Sequence, residues 1–177
     1  MNKEQSKKNF FIKELNYKDV TKQYVKWLNN YDVMKYSDHA SRKHTSINVI
    51  RYVKEKQKSK IEFLYGIFIK SDEEKKLIGT IKLGPNNKMH RNSSISYIIG
   101  DKKYWNKGYA TKAISEIIRI AKSRFKLKKL MAGVIAINHP GARRVLEKNK
   151  FKIEGIFKSY RVFNKKRYNN LMYGLKL

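Results

Sequence analysis

The chain contains no cysteine, only two prolines and few acidic residues. The lack of cysteine excludes disulfides, thiolate metal ligands and a cysteine nucleophile, and it is typical of a cytoplasmic protein. No apolar run approaches the roughly 18–20 residues that a membrane-spanning helix needs. The polar segment 1–8 also lacks the apolar stretch of a signal peptide. We therefore expect a cytoplasmic protein that has no membrane partner and binds no metal.

Basic residues dominate the charge. The chain has 42 Lys and Arg against 14 Asp and Glu, a formal net charge of +28. The positive charges are spread from Lys3 to Lys176, so they attract anions and disfavour a polycationic substrate. Nucleic acid is one anionic partner to consider, although we expect it less than a small anionic ligand. A second explanation is compositional, because the accompanying Asn and Ile are typical of an AT-rich coding sequence.

The length of 177 residues and the hydrophobic fraction of 41% favour one folded domain over 1–177. Hydrophobic spacing predicts a strand, two helices, three antiparallel strands, a helix, a strand, a helix and two closing strands. The first strand covers Phe10–Leu15, and Asp19 is predicted to cap the first helix. Ile47, Ile50 and Val53 are predicted to share the inner face of the second helix. Lys158–Arg167 is predicted to join the two closing strands. The fold class is therefore α/β (α+β), with one mixed sheet.

The chain is organised around the stretch from Ser94 to Arg124, which reads as strand, loop and helix. The strand ends near Gly100, and the helix begins after Gly108. The start of a helix presents free N–H groups and the positive end of the helix dipole, which together bind anions. The loop is itself basic, containing Lys102, Lys103 and Lys107. A phosphate-bearing ligand is therefore expected here.

Two motifs in this order resemble the GNAT superfamily of acyl-CoA-dependent N-acetyltransferases. Residues 104–111, Tyr-Trp-Asn-Lys-Gly-Tyr-Ala-Thr, match the family's loop Gln/Arg-x-x-Gly-x-Gly/Ala, with Trp105 in the first position. The form with Trp is that of the branch containing ribosomal-protein alanine acetyltransferases and acetyltransferases of amino sugars and small amines. Residues 138–151 resemble the family's second motif, with Lys150 in place of its usual glycine. The resemblance implies a central sheet of about seven strands with a splayed parallel pair and about four helices.

The resemblance also implies acetyl-CoA as co-substrate and assigns residues to it. The main chain from Asn106 to Ala110 is expected to hold the pyrophosphate, with Gly108 allowing close approach. Ile98 and Ile99 are expected to bind the pantetheine arm through their main chain. Further contacts are expected from the following side chains: Lys103, Lys107, Tyr109, Thr111, Asn138 and Arg143.

Two catalytic groups common in the family are absent from this chain. Relatives often carry a Glu on the fourth strand as base, but residues 93–96 are Ser-Ser-Ile-Ser. Relatives also often carry a Tyr on the last helix as acid, and the matching residue here is Leu146. Ser94, which could orient a water molecule, and His90 are the catalytic candidates that remain. His39 and His44 lie in the loop over which relatives place their substrate, where we expect exposed side chains.

Three functions are compatible with these residues. The first is transfer of an acetyl group to a small-molecule amine, with an amino sugar, especially a nucleotide-linked one, favoured by the positive charge. The second is acetylation of protein N-termini, as in the ribosomal-protein branch, which the basic character of those partners disfavours. The third is a catalytically weak scaffold that binds nucleic acid. The sequence leaves a homodimer open.

Overall fold

Seven strands and five α-helices make up residues 9–71, 74–137 and 140–177, the part of the chain that the computed structural model describes. The strands are β1 Asn9–Glu14, β2 Phe63–Ser71, β3 Glu74–Leu83, β4 Asn92–Ile99, β5 Lys129–Ile135, β6 Lys152–Phe163 and β7 Lys166–Lys176. The helices are α1 Lys22–Leu28, α2 Tyr31–Met34, α3 Ser46–Lys58, α4 Tyr109–Ser123 and α5 Pro140–Lys148.

The strands form one sheet in the order β1-β2-β3-β4-β5-β7-β6. Each neighbouring pair is antiparallel except β4 and β5, which are parallel. A parallel pair needs a crossover connection, and α4 supplies it. The predicted mixed, mostly antiparallel sheet of seven strands with one parallel pair is therefore confirmed.

A layer of helices packs on each face of the sheet. On one face, α4 buries Ala113, Ile114, Ile117 and Ala121, whose spacing of three and four residues makes one apolar stripe. α5 lies on the same face and buries Leu146. On the other face, α1 and α3 bury the following side chains over β1 to β3: Tyr24, Trp27, Val49 and Val53.

The start of α1 and the buried face of α3 differ from the predictions. Thr21 rather than Asp19 caps α1, since its side chain accepts a hydrogen bond from the N–H of Tyr24 (3.1 Å). The carboxylate of Asp19 instead accepts from the N–H of Asn16 (3.0 Å), which closes a separate 3₁₀ turn. On α3, Ile47 is 73% exposed because Val49 and Val53 form the inner face.

The predicted long connection between the last two strands is wrong. β6 continues to Phe163, and only Asn164 and Lys165 separate it from β7. Both residues have positive φ (48° and 61°), as a tight hairpin turn requires. A bulge near Ser159 (φ 49°) bends β6. The hairpin therefore projects further than expected, and its tip reaches α2, where the hydroxyl of Tyr31 donates to the side-chain oxygen of Asn164 (3.5 Å).

Glu62 joins α3 to the sheet, and its charge should make folding pH-dependent. A hydrogen bond from Lys56 lowers the pKa of Glu62, Lys82 (3.0 Å) lowers it further, and partial burial opposes them. Because the folded pKa is depressed, the stabilisation is present above the unfolded pKa of roughly 4.3 and is lost as pH falls through the folded pKa.

We therefore expect Glu62→Gln to lower the free energy of unfolding by about 1 kcal/mol at pH 7, a value reduced by solvent screening. The difference from the unmodified protein should begin to shrink below pH of about 4.3 and should vanish once the pH lies below the lowered pKa of Glu62 in the folded state. Urea titrations at pH 7 and at low pH measure the free energy of unfolding of both proteins. The control is Glu55→Gln on α3, because the carboxylate of Glu55 makes no ion pair among the described residues. A difference that persists unchanged at low pH would contradict the assignment.

Candidate active site

The start of α4 is shaped as an anion site. Gly108 is the residue before the helix, has φ +80°, and provides no side-chain cap. The first helical hydrogen bond here runs from the N–H of Lys112 to the carbonyl of Gly108 (3.0 Å), so the N–H groups of Tyr109, Ala110 and Thr111 precede it. A Cβ placed on Gly108 would meet no atom within 4 Å. Open space therefore faces the helix N-terminus.

The loop before α4 places positive charge beside this space. Lys103 and Lys107 are exposed and have no ion-pair partner within the described ranges. Asp101 is engaged elsewhere, since its carboxylate accepts from the N–H of Lys103 and pairs with Lys76 (3.0 Å). Asn106 has φ 58°, a conformation that Asn tolerates better than most residues. The loop thus combines main-chain donors with unneutralised ammonium groups, which suits a diphosphate.

β4 and β5 separate soon after they begin. Their parallel ladder joins three residue pairs, from Asn92 with Lys129 to Ser94 with Met131. Beyond that point β4 remains paired with β3, and β5 remains paired with β7 along its whole length. A gap therefore opens between β4 and β5 toward the loop at the start of α4.

On β4, alternate residues direct their main-chain groups into the gap. The N–H of Gly84 donates to the carbonyl of Ser94 (2.9 Å), which shows that the even-numbered residues bond to β3. The main chain of Ile98 is therefore engaged with β3, and Tyr97 and Ile99 face the gap. The indole N–H of Trp105 donates to the carbonyl of Ile99 (2.7 Å). The N–H of Ile99 and both main-chain groups of Tyr97 therefore face the gap.

On β5, the same alternation sets the opposite wall. The N–H of Ala136 donates to the carbonyl of Asn169 in β7 (2.8 Å), so the even-numbered residues bond to β7. Gly133 consequently directs both of its main-chain groups toward β4, and Ile135 directs its N–H there, while the carbonyl of Ile135 accepts from the N–H of Ile137 (3.0 Å). Two strand edges with open hydrogen-bonding groups can accept an extended amide-containing arm between them, as a sheet accepts a further strand.

Separately from this gap, a cavity of about 480 Å³ lies between the segment after α2 and the β6–β7 hairpin. Arg161 of β6 crosses it, with its guanidinium bound to Asp38 (2.7 Å) and donating to the carbonyl of Tyr36 (2.9 Å). The rings of Tyr36 and Phe163 are in contact, 5.2 Å between centroids. Ile135 at the end of β5 also lines the cavity. We call this cavity the hairpin cleft.

The family model for the acetyltransferase (GNAT) domain matches residues 9–152. This chain belongs to the GNAT acetyltransferase family. Two curated relatives come from Bacillus subtilis: the uncharacterized N-acetyltransferase YoaA is 29% identical over 107 residues, which are 60% of this chain and 59% of YoaA. The probable N-acetyltransferase YjcK is 38% identical over 98 residues, 54% of this chain and 51% of YjcK. The chain thus spans little more than half the length of either relative.

The fold agrees with solved structures of the family. The spermidine N-acetyltransferase of Vibrio cholerae, in complex with CoA and spermine, superimposes with a TM-score of 0.81. The two sequences are 20% identical, and the match covers 94% of this chain and 95% of that one. At this identity the likeness shows a common fold.

The main-chain cradle and the gap fit a CoA derivative. The open space at Gly108, the free N–H groups of the first helical turn and the ammonium groups of Lys103 and Lys107 suit its pyrophosphate. The gap between β4 and β5 suits its pantetheine arm. Thr111 lies half-buried in the same first turn. The residues that the sequence predicts for the pyrophosphate thus lie together at the start of α4, and their role stays a prediction. For the pantetheine arm the sequence named Ile98, but the main chain of Tyr97 faces the gap and that of Ile98 bonds to β3.

The structure separates the two catalytic candidates of this GNAT domain. Ser94 lies on β4 where the strand pair begins to open, and its hydroxyl donates to the carbonyl of Gly84 (2.8 Å). His90 lies in the exposed turn before β4, at the end of the sheet opposite the cradle, where its N–H donates to Asn87 (2.9 Å). Ser94 is therefore near the gap, and His90 is not.

Asn138 lies outside the described residues, whereas Arg143 is already engaged. Arg143 donates to the hydroxyl of Tyr173 (3.3 Å), and that hydroxyl donates to Glu147 (2.9 Å). Asn149 marks the side of α5 that faces α4, because its amide donates to the carbonyl of Thr111 (3.2 Å). Arg143 lies about 120° around the helix axis from Asn149, and its guanidinium is engaged with Tyr173 of β7.

His39 lies in the loop before α3, where it is exposed and is not one of the residues that line the hairpin cleft. Partial burial lowers the pKa of His39, and the charges of Arg42, His44 and Lys82 lower it further, while Asp38 opposes them. His39 is therefore neutral at pH 7 and can accept a proton. Its neighbours Asp38 and Ala40 line the cleft. Nε2 of His44 is buried without a hydrogen-bond partner.

Sequence reasoning missed the hairpin cleft because its walls lie far apart in the chain. Tyr36 and Arg161 are separated by 125 residues. In the described ranges we find no group of three acidic or His side chains that could hold a metal ion. Nor does any helix there have the length and apolarity to cross a membrane.

Proposed function

We propose that this protein transfers an acetyl group from acetyl-CoA to the primary amine of a small anionic molecule, a nucleotide-linked amino sugar above all. One observation carries the proposal: Ile135 belongs to both parts of the site. Its main-chain N–H faces the gap that fits pantetheine, and the same residue lines the hairpin cleft. The cofactor gap and the cleft therefore meet at the end of β5, as a direct transfer requires.

The lining of the hairpin cleft favours this class of acceptor. Tyr36, Tyr160 and Phe163 provide aromatic surface for a sugar or base. Lys35 lines the same cleft, and its ammonium group pairs with no carboxylate among the described residues. Arg161 adds a second cation, partly neutralised by Asp38. A ring with an attached phosphate matches this combination, whereas a polyamine meets like charge.

Acetyl-CoA supplies an activated acetyl group as a thioester. The chain's own contribution is positional: the cradle holds the diphosphate, and the strand edges orient the arm. We place Ser94 at the acceptor side as a residue that orients water, and His39 as a group able to accept the amine's proton. We also propose that the whole of 1–177 is one such domain.

The proposal is tested in two steps. Calorimetry with acetyl-CoA should first show binding. Thiol release is then followed with a UDP-linked amino sugar, the free amino sugar, spermidine and a peptide with a free N-terminal alanine. We expect kcat/KM for the UDP-linked sugar to exceed that for the free sugar by about tenfold, because one charged contact contributes roughly 1.5 kcal/mol. A response to the peptide or spermidine alone would refute the acceptor assignment.

The variant Lys35→Gln tests whether the cleft itself binds the charged part of the substrate. It should raise KM for the UDP-linked sugar about fivefold to tenfold while leaving KM for acetyl-CoA and for the free sugar unchanged. Lys43→Gln removes the same charge from the next loop, outside the cleft lining, and should change nothing. Equal effects of both substitutions would mean that only the overall charge attracts the substrate.

A further inference from the structure

Three turns meet at the end of the sheet opposite the cradle. They are residues 59–62 before β2, 84–91 before β4 and 124–128 before β5. Main-chain hydrogen bonds connect them: the N–H of Asn86 donates to Ile61 (2.7 Å), and the N–H of Lys128 donates to Arg91 (2.6 Å). The surface they form is therefore set by the fold rather than by flexible side chains.

This surface, which we call the basic end, carries unneutralised positive charge. Its cations are Lys60, Lys88, Arg91, Lys126 and Lys128. None of the five has a carboxylate within ion-pair distance among the described residues. The neighbouring Glu62 is already bound by Lys56 and Lys82. The acetyl-transfer site uses none of this charge.

Apolar side chains stand among these cations. Met89 is 83% exposed, more than any other large hydrophobic residue of the described chain, and Ile61 is 46% exposed. Met89 occupies the tip of a turn that a bridge between Asn87 and Asn92 closes. The turn thus presents an unbranched apolar side chain outward, with Lys88 beside it.

We propose that the basic end docks on an anionic lipid surface, with Met89 inserted among the head groups. Cations near such a surface each strengthen binding, and an apolar tip adds contact with the acyl boundary. Nucleic acid would match the cations equally well, but its backbone offers no apolar environment for Met89. The apolar tip within a cationic ring therefore favours lipid.

The docking is separate from acetyl transfer. β4 spans eight residues, roughly 25 Å, between the basic end and the cradle. A membrane contact at one end leaves the gap and the hairpin cleft open at the other. The two proposals can consequently fail independently.

The charge requirement is tested by co-sedimentation of the full chain with vesicles of phosphatidylcholine containing phosphatidylglycerol, in 150 mM salt. The variant Lys60→Gln, Lys88→Gln, Lys126→Asn, Lys128→Gln should bind at least a hundredfold more weakly, at about fivefold per cation. Asn keeps the positive φ of residue 126 (52°). The matched control Lys22→Gln, Lys26→Gln, Arg51→Gln, Lys70→Gln removes equal charge elsewhere and should lose less than tenfold, because charges beyond about 8 Å are screened.

Met89→Ser separates lipid from other anions without changing charge. It should weaken vesicle binding about tenfold, which is the effect of removing one inserted apolar side chain. Binding to a DNA duplex and to acetyl-CoA should not change. The proposal is overturned if Met89→Ser binds vesicles like the unmodified protein. It is also overturned if both fourfold variants lose equal affinity, or if pure phosphatidylcholine vesicles bind as well.

Discussion

Gly108→Val is expected to lower the affinity for acetyl-CoA at least a hundredfold, about 3 kcal/mol, while the fold survives. Two or more charge-assisted hydrogen bonds from the first turn of α4 to the diphosphate, at about 1.5–3 kcal/mol each, account for that loss. The new side chain would occupy the open space in front of the helix N-terminus, where no protein atom lies within 4 Å of a Cβ. It meets the ligand rather than the protein.

The stability change at Gly108 should be small by comparison. Its φ of +80° disfavours a β-branched residue by about 1–2 kcal/mol. Calorimetry with acetyl-CoA measures the affinity, and urea unfolding measures the stability. Gly155→Ala is the matched control, because Gly155 also has no atom within 4 Å of its Cβ position and its φ is not in the left-handed region. If Gly108→Val binds acetyl-CoA normally, the cradle has been assigned to the wrong residues.

Gly79→Ala is expected to have the largest effect on folding, a loss of about 3 kcal/mol in the free energy of unfolding. A Cβ on Gly79 would lie well inside contact distance of the carbonyl oxygen of Ile98 and 3.0 Å from the Cα of Ile99. Both are main-chain atoms of the paired strand β4, so they cannot move without moving the strand. Because Ile99 lines the gap, acetyl-CoA affinity should fall as well.

Gly174→Ala is the informative comparison for Gly79. The Cβ would approach its nearest neighbour even more closely than at Gly79, but that neighbour is the carboxylate of Glu154. This side chain is flexible and 45% exposed, so it can rotate away at the cost of its surface pair with Lys129. We expect a loss below about 1 kcal/mol. If urea unfolding shows equal losses in the free energy of unfolding for Gly79→Ala and Gly174→Ala, the distinction between a rigid main-chain neighbour and a flexible side-chain neighbour is wrong.

The cradle could be predicted because its determinants are local. A strand, a basic loop, one glycine and an amphipathic helix lie within 31 consecutive residues, and each acts through its immediate neighbours. Lys150, which stands where the family has glycine, has a positive φ (65°). Ile98 was named instead of Tyr97 because a family motif gives the strand, whereas the hydrogen-bond register decides which alternate residues face the gap.

The errors at Asp19 and in the last hairpin also have physical reasons. Asp19 and Thr21 are both good caps, and the contact of Asp19 with Lys75, 56 residues away, helps to hold it in the earlier turn. Asn164 and Lys165 form a two-residue turn without the glycine that usually marks one. The strand was consequently predicted too short, and the residues that build the hairpin cleft were placed in a loop.

The amino-acid sequence by itself determined the order of strands and helices, the GNAT family and a basic loop with Gly108 at the start of α4, because these depend on neighbouring residues and on hydrophobic spacing. Only the tertiary structure decided that a gap between two strands and the hairpin cleft lie beside this loop. Pairing of β4 with β5 over only three residues opens the gap. Contacts between Tyr36 and Arg161, 125 residues apart, close the cleft beside it. Both depend on strand register and on packing between distant segments, which no local pattern contains.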